Sequence, residues 1–222
     1  MRDMIRFEVT ISAQALTRTM LVAALTLLAC HGALTIYHYR VEELPWLLRQ
    51  LFDVDEEDAL PTWFSAFLLF IVSAILWFCG RRERASADRW AVYWYILSVG
   101  FLLMSIDEVA GIHETLNSVI ESHWAVGGGI LALVIGLCFV PFLLRLRRRT
   151  ALLFVVAGVV YISGAVGIEI LGQPMDADTL AYNLLTLVEE GLEMFGVILF
   201  LYGLLDHVHR QGANTVNKAR AS

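Results

Sequence analysis

Long apolar stretches recur along this chain from Leu21 to Leu205, and short polar segments separate them. A helix needs about 20 apolar residues to cross the roughly 30 Å hydrocarbon core of a bilayer. Six segments reach that length, at about residues 16–37, 62–80, 90–112, 124–144, 151–171 and 180–205. The sequence lacks the short alternating segments of a transmembrane β-barrel. The pattern therefore predicts an all-α, polytopic transmembrane helical bundle of six spans.

The composition agrees with a membrane protein. Apolar residues make up 58% of the 222 residues, charged residues make up 17%, and the mean hydropathy is +0.67. A soluble domain averages about 45–50% apolar and about 25% charged residues, and disordered chains are poor in apolar residues. We expect a single six-helix transmembrane domain over residues 1–210, followed by a flexible cytoplasmic tail over residues 211–222.

The basic residues are sorted to one side of the predicted bundle, although the net charge is −6. Of the sixteen Lys and Arg residues, only Arg40 and Arg49 fall in loops on the opposite side. Cytoplasmic loops of membrane proteins carry an excess of Lys and Arg, so both termini are predicted to be cytoplasmic. The basic run Arg145–Arg149 then acts as an orientation signal that touches anionic lipid, and no nucleic-acid partner is expected.

The first predicted exoplasmic loop, at about residues 39–61, combines apolar and acidic positions. Apolar residues at roughly helical spacing around Trp46 predict an amphipathic helix that lies in the outer membrane interface. An acidic run over residues 53–58 follows. It lacks the ligand spacing and the turn glycine of a calcium loop, so a solvated acidic loop is favoured over a cation site there.

Eight ionisable side chains fall within or at the ends of predicted spans three, five and six. At the bilayer centre each such group costs about 2.5–3.5 kcal/mol or more. They are Asp107, Glu108, His113, Glu114, Glu169, Glu189, Glu190 and Glu193. All eight lie in the predicted exoplasmic half, with no Lys or Arg near them in the spans. Crowded carboxylates without basic partners must hold protons or bind cations.

A metal site is the leading hypothesis for this group. Carboxylates on adjacent helices build metal sites in helical bundles, and one His among oxygen ligands suits Zn, Fe or Mn. The predicted ligands of the divalent metal ion are Asp107, His113, Glu114, Glu169, Glu190 and Glu193; Glu108 and Glu189 are predicted to support them or to relay protons. The ferritin-like Glu-x-x-His pair is missing, because Glu190 is followed three residues later by Glu193. If the site is catalytic, the metal would activate water toward a membrane-embedded substrate or carry redox chemistry.

Three other interpretations stay open. The same acids serve a proton or metal-cation transporter or channel, as intramembrane acids commonly do. Alternatively, protonated carboxyl groups tie the helices together with hydroxyl groups such as that of Ser105. An accessory subunit of a larger membrane complex, or an oligomer, needs only the apolar surface. The expected partners are membrane lipids and either a lipid-soluble substrate or a transported cation.

Four segments of the chain also resemble a known group of proteins. They are residues 51–55, 60–65, 105–114 and 189–194, with the sequences LFDVD, LPTWFS, SIDEVAGIHE and EEGLEM. Together they resemble a group of uncharacterised multi-span bacterial inner-membrane proteins, over about residues 52–205. The resemblance implies a place in the bacterial inner membrane, and it implies no activity.

Overall fold

The computed structural model describes residues 12–112 and 124–221, and in those ranges its regular structure is entirely helical. The helices are α1 (Ala13–Arg40), α2 (Trp46–Phe52), α3 (Leu60–Ala85), α4 (Ala91–Ala110), α5 (Trp124–Arg145), α6 (Arg148–Ile162), α7 (Glu169–Gly172) and α8 (Leu180–Ala221). A π-helical turn, Ser163–Ile168, joins α6 to α7. The all-α prediction is confirmed for the described residues.

Within residues 12–112 and 124–221, five helical stretches are long and apolar enough to cross a membrane. They are α1, α3, α4, the part of α5 from Val126 onward, and the continuous stretch Arg148–Gly172 that contains the π-helical turn. These helices support the prediction of a membrane protein. The sixth predicted span falls in α8, which is not one of the five and which carries Glu189, Glu190 and Glu193.

Helix α8 lies at the centre of the bundle, where it packs against α1, α3, α6 and the π-helical turn. Its apolar residues Met194, Val197, Leu201 and Leu204 are buried in the core. Ionisable residues in membrane helices face the protein interior because lipid does not solvate charge. A central position therefore accounts for acids on this particular helix.

Glycines bring the backbones of α6 and α8 into direct contact. A Cβ atom at Gly196 would lie 2.8 Å from the backbone nitrogen of Tyr161 and 3.0 Å from the carbonyl oxygen of Ala157. Small residues permit such close approach between membrane helices. The approach fixes Tyr161 one turn away from the acids of α8.

Serines tie α3 to α4. The Ser73 hydroxyl donates to the Ser98 carbonyl at 2.7 Å, and the Ser98 hydroxyl donates to the Ser73 carbonyl at 2.9 Å. The Ser105 hydroxyl donates to the Ala66 carbonyl at 2.8 Å. Hydrogen bonds of this kind hold helices together in an apolar surrounding, so Ser105 serves helix pairing.

The two ends of the bundle differ in charge. At the basic end, Arg145 Nη2 lies 2.6 Å from Asp88, and Arg210 Nε lies 2.9 Å from Asp206. The Trp90 backbone N–H, followed by Arg145, holds the pKa of Asp88 below its usual range. The hydrogen bond from Arg210 does the same for the pKa of Asp206. The first contact joins α5 to the segment between α3 and α4, and the second lies within α8.

The opposite, acidic end carries the first long loop. Helix α2 lies within the segment where an amphipathic helix was predicted, and Trp46 and Leu47 on it are exposed.

Near the C-terminus, α8 continues to Ala221, so the backbone of the predicted tail is helical up to that residue.

Candidate functional site: an acid cluster

The acids of α8 meet an acid from α4 and one from the first loop. The charged groups that act most strongly on Glu190 are, in order, Glu193, Glu108, Glu189 and Asp55. We call these five residues the acid cluster. All of them except the exposed Asp55 are half-buried. Three parts of the chain that are remote in sequence thus place carboxyl groups close enough to influence one another.

Tyr161 of α6 closes one side of the acid cluster. Its hydroxyl donates a hydrogen bond to the Glu193 carboxylate, and the half-buried side chain lies close enough to Glu108 and Glu190 for both to act on it. Sequence reasoning missed this residue, because a single Tyr in an apolar run is a common feature of membrane helices. Its position depends on the Gly196 contact, which no local pattern reveals.

The π-helical turn lies directly against the acid cluster. A Cβ atom at Gly164 would lie 2.6 Å from the Glu189 carbonyl oxygen and 3.1 Å from Cγ of Glu193. π-Helical turns are rare in proteins, and those that occur are often found at functional sites. This turn lets the chain pass close to α8, and Glu169 follows directly after it.

The first loop lies at the acidic end of the bundle, next to the acid cluster. Buried His31 of α1 anchors it: the Val54 backbone N–H donates to His31 Nδ1 at 3.3 Å, and Asp53 Oδ1 lies 3.5 Å from the same nitrogen. His31 Nε2 lies 3.4 Å from the Thr35 hydroxyl. Asp55, which follows in the loop, lies close enough to Glu190 to act on its charge. His31 therefore positions the loop, and it lies outside the cluster.

The same loop also meets the end of α4. Gly111 ends that helix with φ +52°, and its backbone N–H donates to the Asp107 carbonyl at 2.8 Å. The Glu57 carboxylate occupies the space that a side chain at Gly111 would need. Only glycine fits there, because the backbone is left-handed and the neighbour is too close. The contact places Glu57 one helical turn from Asp107.

The predicted ligands are partly brought together. Glu190 and Glu193 are neighbours in the cluster, and Glu169 lies at its edge, where Asp55, Glu169 and Glu189 all act on Tyr182. Asp107 is half-buried and precedes Glu108 on α4. Glu108 and Glu189, which were predicted in supporting roles, also act on Glu190. Asp55 was not predicted, since its loop position carries no periodic signal.

The ligand geometry is incomplete in the described part of the chain. Among residues 12–112 and 124–221, no three His, Cys, Asp or Glu side chains are grouped so that they could hold a metal ion. His113 and Glu114, two of the predicted ligands, lie outside the described residues. The described carboxylates therefore form a charged cluster, and they do not by themselves form a finished metal site.

One comparison with known proteins gives a match. A family model described as a domain of unknown function (DUF8692) matches residues 18–208, which includes every helix that contributes to the acid cluster. No curated protein and no solved structure matches the chain.

Proposed function

We propose a function from this chain's own residues, since the chain belongs to the DUF8692 family, whose domain has no known function. The acid cluster forms part of an intramembrane cation site, and the cation of that site is a divalent metal ion. One observation carries the proposal: Glu190 lies among four other carboxyl groups between membrane-length helices.

The concentration of negative charge in the acid cluster supports a cation as its ligand. Residues 91–110, 150–172 and 180–209 contain no Lys or Arg. Several carboxylates in a low-dielectric surrounding repel one another and cannot all be ionised alone. A divalent ion neutralises two of them at once, which is a larger gain than a hydrogen-bond network offers.

The donor set suits Zn, Fe or Mn. Carboxylate oxygens with one imidazole are typical ligands of these ions, and the proposed set is Asp107, His113, Glu114, Glu169, Glu190 and Glu193. The Tyr161 hydroxyl would orient Glu193 in the way that outer hydrogen bonds orient metal ligands. A metal held there would support hydrolytic or redox chemistry on a lipid-soluble substrate.

The proposed placement in the membrane follows from charge. We place six spans in a bacterial inner membrane, with α8 as the sixth and the basic end in the cytoplasm, as the excess of Lys and Arg there favours. Helix α2, with its exposed Trp46 and Leu47, then lies in the outer interface. The acid cluster opens toward the exoplasmic side in this arrangement.

Elemental analysis tests the metal site. Protein purified without chelator is expected to retain a stoichiometric transition metal, and Glu193→Gln is expected to lose most of it, because that variant removes a charged ligand. His113→Ala tests the predicted imidazole ligand in the same assay. Glu42→Gln is the matched control, since Glu42 is an exposed acid in the first loop. Wild-type protein without stoichiometric metal would contradict the proposal.

A proton or cation pathway is the second candidate. It is favoured by the lack of a three-ligand group in the described residues and by the row of acids from exposed Asp55 to Glu190 and Glu193. In proteoliposomes, we expect a proton or metal flux that Glu190→Gln and Asp107→Asn abolish and Glu42→Gln leaves intact. A flux that persists unchanged in both variants would exclude this candidate.

A further inference from the structure

A second polar region lies at the basic end of the bundle, away from the acid cluster. There the ends of α3, α4 and α5 and the part of α8 around His207–Gln211 line a cavity of about 390 Å³. Small-molecule sites span about 300–1,000 Å³. The cavity is thus too large for a single ion, and it has room for a phosphate joined to a small polar group.

The acids that line the cavity already have partners. Asp88 binds Arg145, and Glu83 accepts a hydrogen bond from the Gln211 side chain at 3.0 Å. Burial, above all, lowers the pKa of His207, and its ring packs against Trp94 with a centroid distance of 5.0 Å and an angle of 33° between the rings. The lining acids and His207 therefore leave the arginines as the groups that attract a ligand.

Two arginines keep donors available in the cavity. Arg210 uses only its Nε for Asp206, which leaves both of its Nη groups. Arg147 lines the cavity and is exposed, and its side chain makes no hydrogen bond or ion pair with any residue that the structure describes. Guanidinium groups bind phosphate oxygens in pairs through parallel N–H bonds. The cavity lining contains three arginines and two acids.

The remaining wall is apolar and borders the lipid-facing surface. Trp90, Trp94, Phe142 and Leu146 line it, and Leu144 in the last turn of α5 is 82% exposed. Tryptophan is enriched where acyl chains meet headgroups. A soluble phosphate would gain nothing from this wall, whereas a phospholipid would gain contact for its glycerol and the start of its acyl chains.

We propose that this cavity binds the headgroup of an anionic phospholipid, with its phosphate between Arg147 and Arg210 and its glycerol against Trp90. The site is independent of the acid cluster, and it would hold one lipid specifically, in addition to the general attraction of basic loops for an anionic surface.

The test compares two adjacent arginines. Full-length protein in phosphatidylcholine nanodiscs, with and without phosphatidylglycerol, is analysed by native mass spectrometry for retained lipid. We expect wild-type protein to retain phosphatidylglycerol and Arg147→Gln to weaken its retention about tenfold, the usual effect of losing a charge-assisted contact. Arg148→Gln removes the same charge one residue away, outside the cavity lining, and is expected to behave like wild type.

Two outcomes would overturn the proposal. An equal loss in both variants would show that surface charge alone attracts the lipid. Displacement of the lipid by soluble glycerol phosphate at matched concentration would identify a soluble phosphate as the ligand. The unfolding temperature in phosphatidylcholine alone is expected to be the same for both variants, because the Arg147 side chain makes no hydrogen bond or ion pair in the described residues. This measurement verifies that neither variant is misfolded.

Discussion

Replacing Gly164 with alanine is expected to lower the free energy of unfolding by about 1–3 kcal/mol, the usual cost of overpacking a tight interface. The added methyl group would lie 2.6 Å from the Glu189 carbonyl oxygen. That neighbour is backbone in the centre of α8, and it cannot move aside as the end of a flexible side chain can. The two helices must separate, and separation breaks the contacts that bury both.

The π-helical turn supplies its own control. Gly167 lies in the same turn, and a Cβ there meets nothing within 4 Å. Gly167→Ala is expected to keep or slightly raise stability, because alanine is a better helix former than glycine by about 1 kcal/mol. Denaturant unfolding in detergent micelles measures both variants. Equal stabilities for the two would show that the close contact of Gly164 with α8 is not tight.

Gly164→Ala is also expected to change the acid cluster in the protein that remains folded. Gly164 also lies against Cγ of Glu193, so a shift of the turn displaces a cluster carboxylate as well as a helix. Gly164→Ala should therefore lower the metal content of the folded protein, measured after removal of unfolded material. Gly196→Ala would strain the α6–α8 contact further along, where the nearest atoms belong to Tyr161.

The helices were predictable from the sequence because the signal for each is local. An apolar run of about 20 residues can be recognised without knowing what packs against it. The predicted spans agree closely with α1, α3, α4, α5 and the Arg148–Gly172 stretch. The central position of α8 was not predictable in this way. It depends on which faces pack together, and Gly164 and Gly196 become meaningful only when their partners are known.

The acid cluster was predictable to a similar extent. Glu190 and Glu193 lie on one helix, three residues apart, so helical geometry alone brings them together. The approach of Glu108 rested on the cost of isolating charges in a membrane, and the structure places it near Glu190. Asp55 and Tyr161 were not predicted. The fold of a loop positions Asp55 and a glycine contact positions Tyr161, and no periodic sequence pattern indicates either arrangement.

Replacing Tyr161 with phenylalanine is expected to weaken metal binding about 10–100-fold, the usual effect of losing an outer hydrogen bond to a metal ligand. The variant keeps the aromatic ring and the backbone and Cβ that lie against Gly196, and it removes only the hydroxyl that donates to Glu193. Without that donor, the carboxylate rotates more freely and loses part of its preorganisation for the ion. Calorimetric titration of metal-stripped protein with Zn²⁺ and with Mn²⁺ measures the change.

A double-mutant cycle distinguishes this role from simple packing. If the Tyr161 hydroxyl acts through Glu193, Tyr161→Phe should have little further effect in a Glu193→Gln background, because coupled residues are non-additive. Tyr95→Phe is the matched control: Tyr95 packs edge-on against Trp77 in the α3–α4 pair, on helices that do not carry Glu193. Equal metal affinities for wild type and Tyr161→Phe, or additive losses in the cycle, would mean that Tyr161 contributes only its ring. A selective loss would place the hydroxyl in the cation site, because the fold retains every other contact of that side chain.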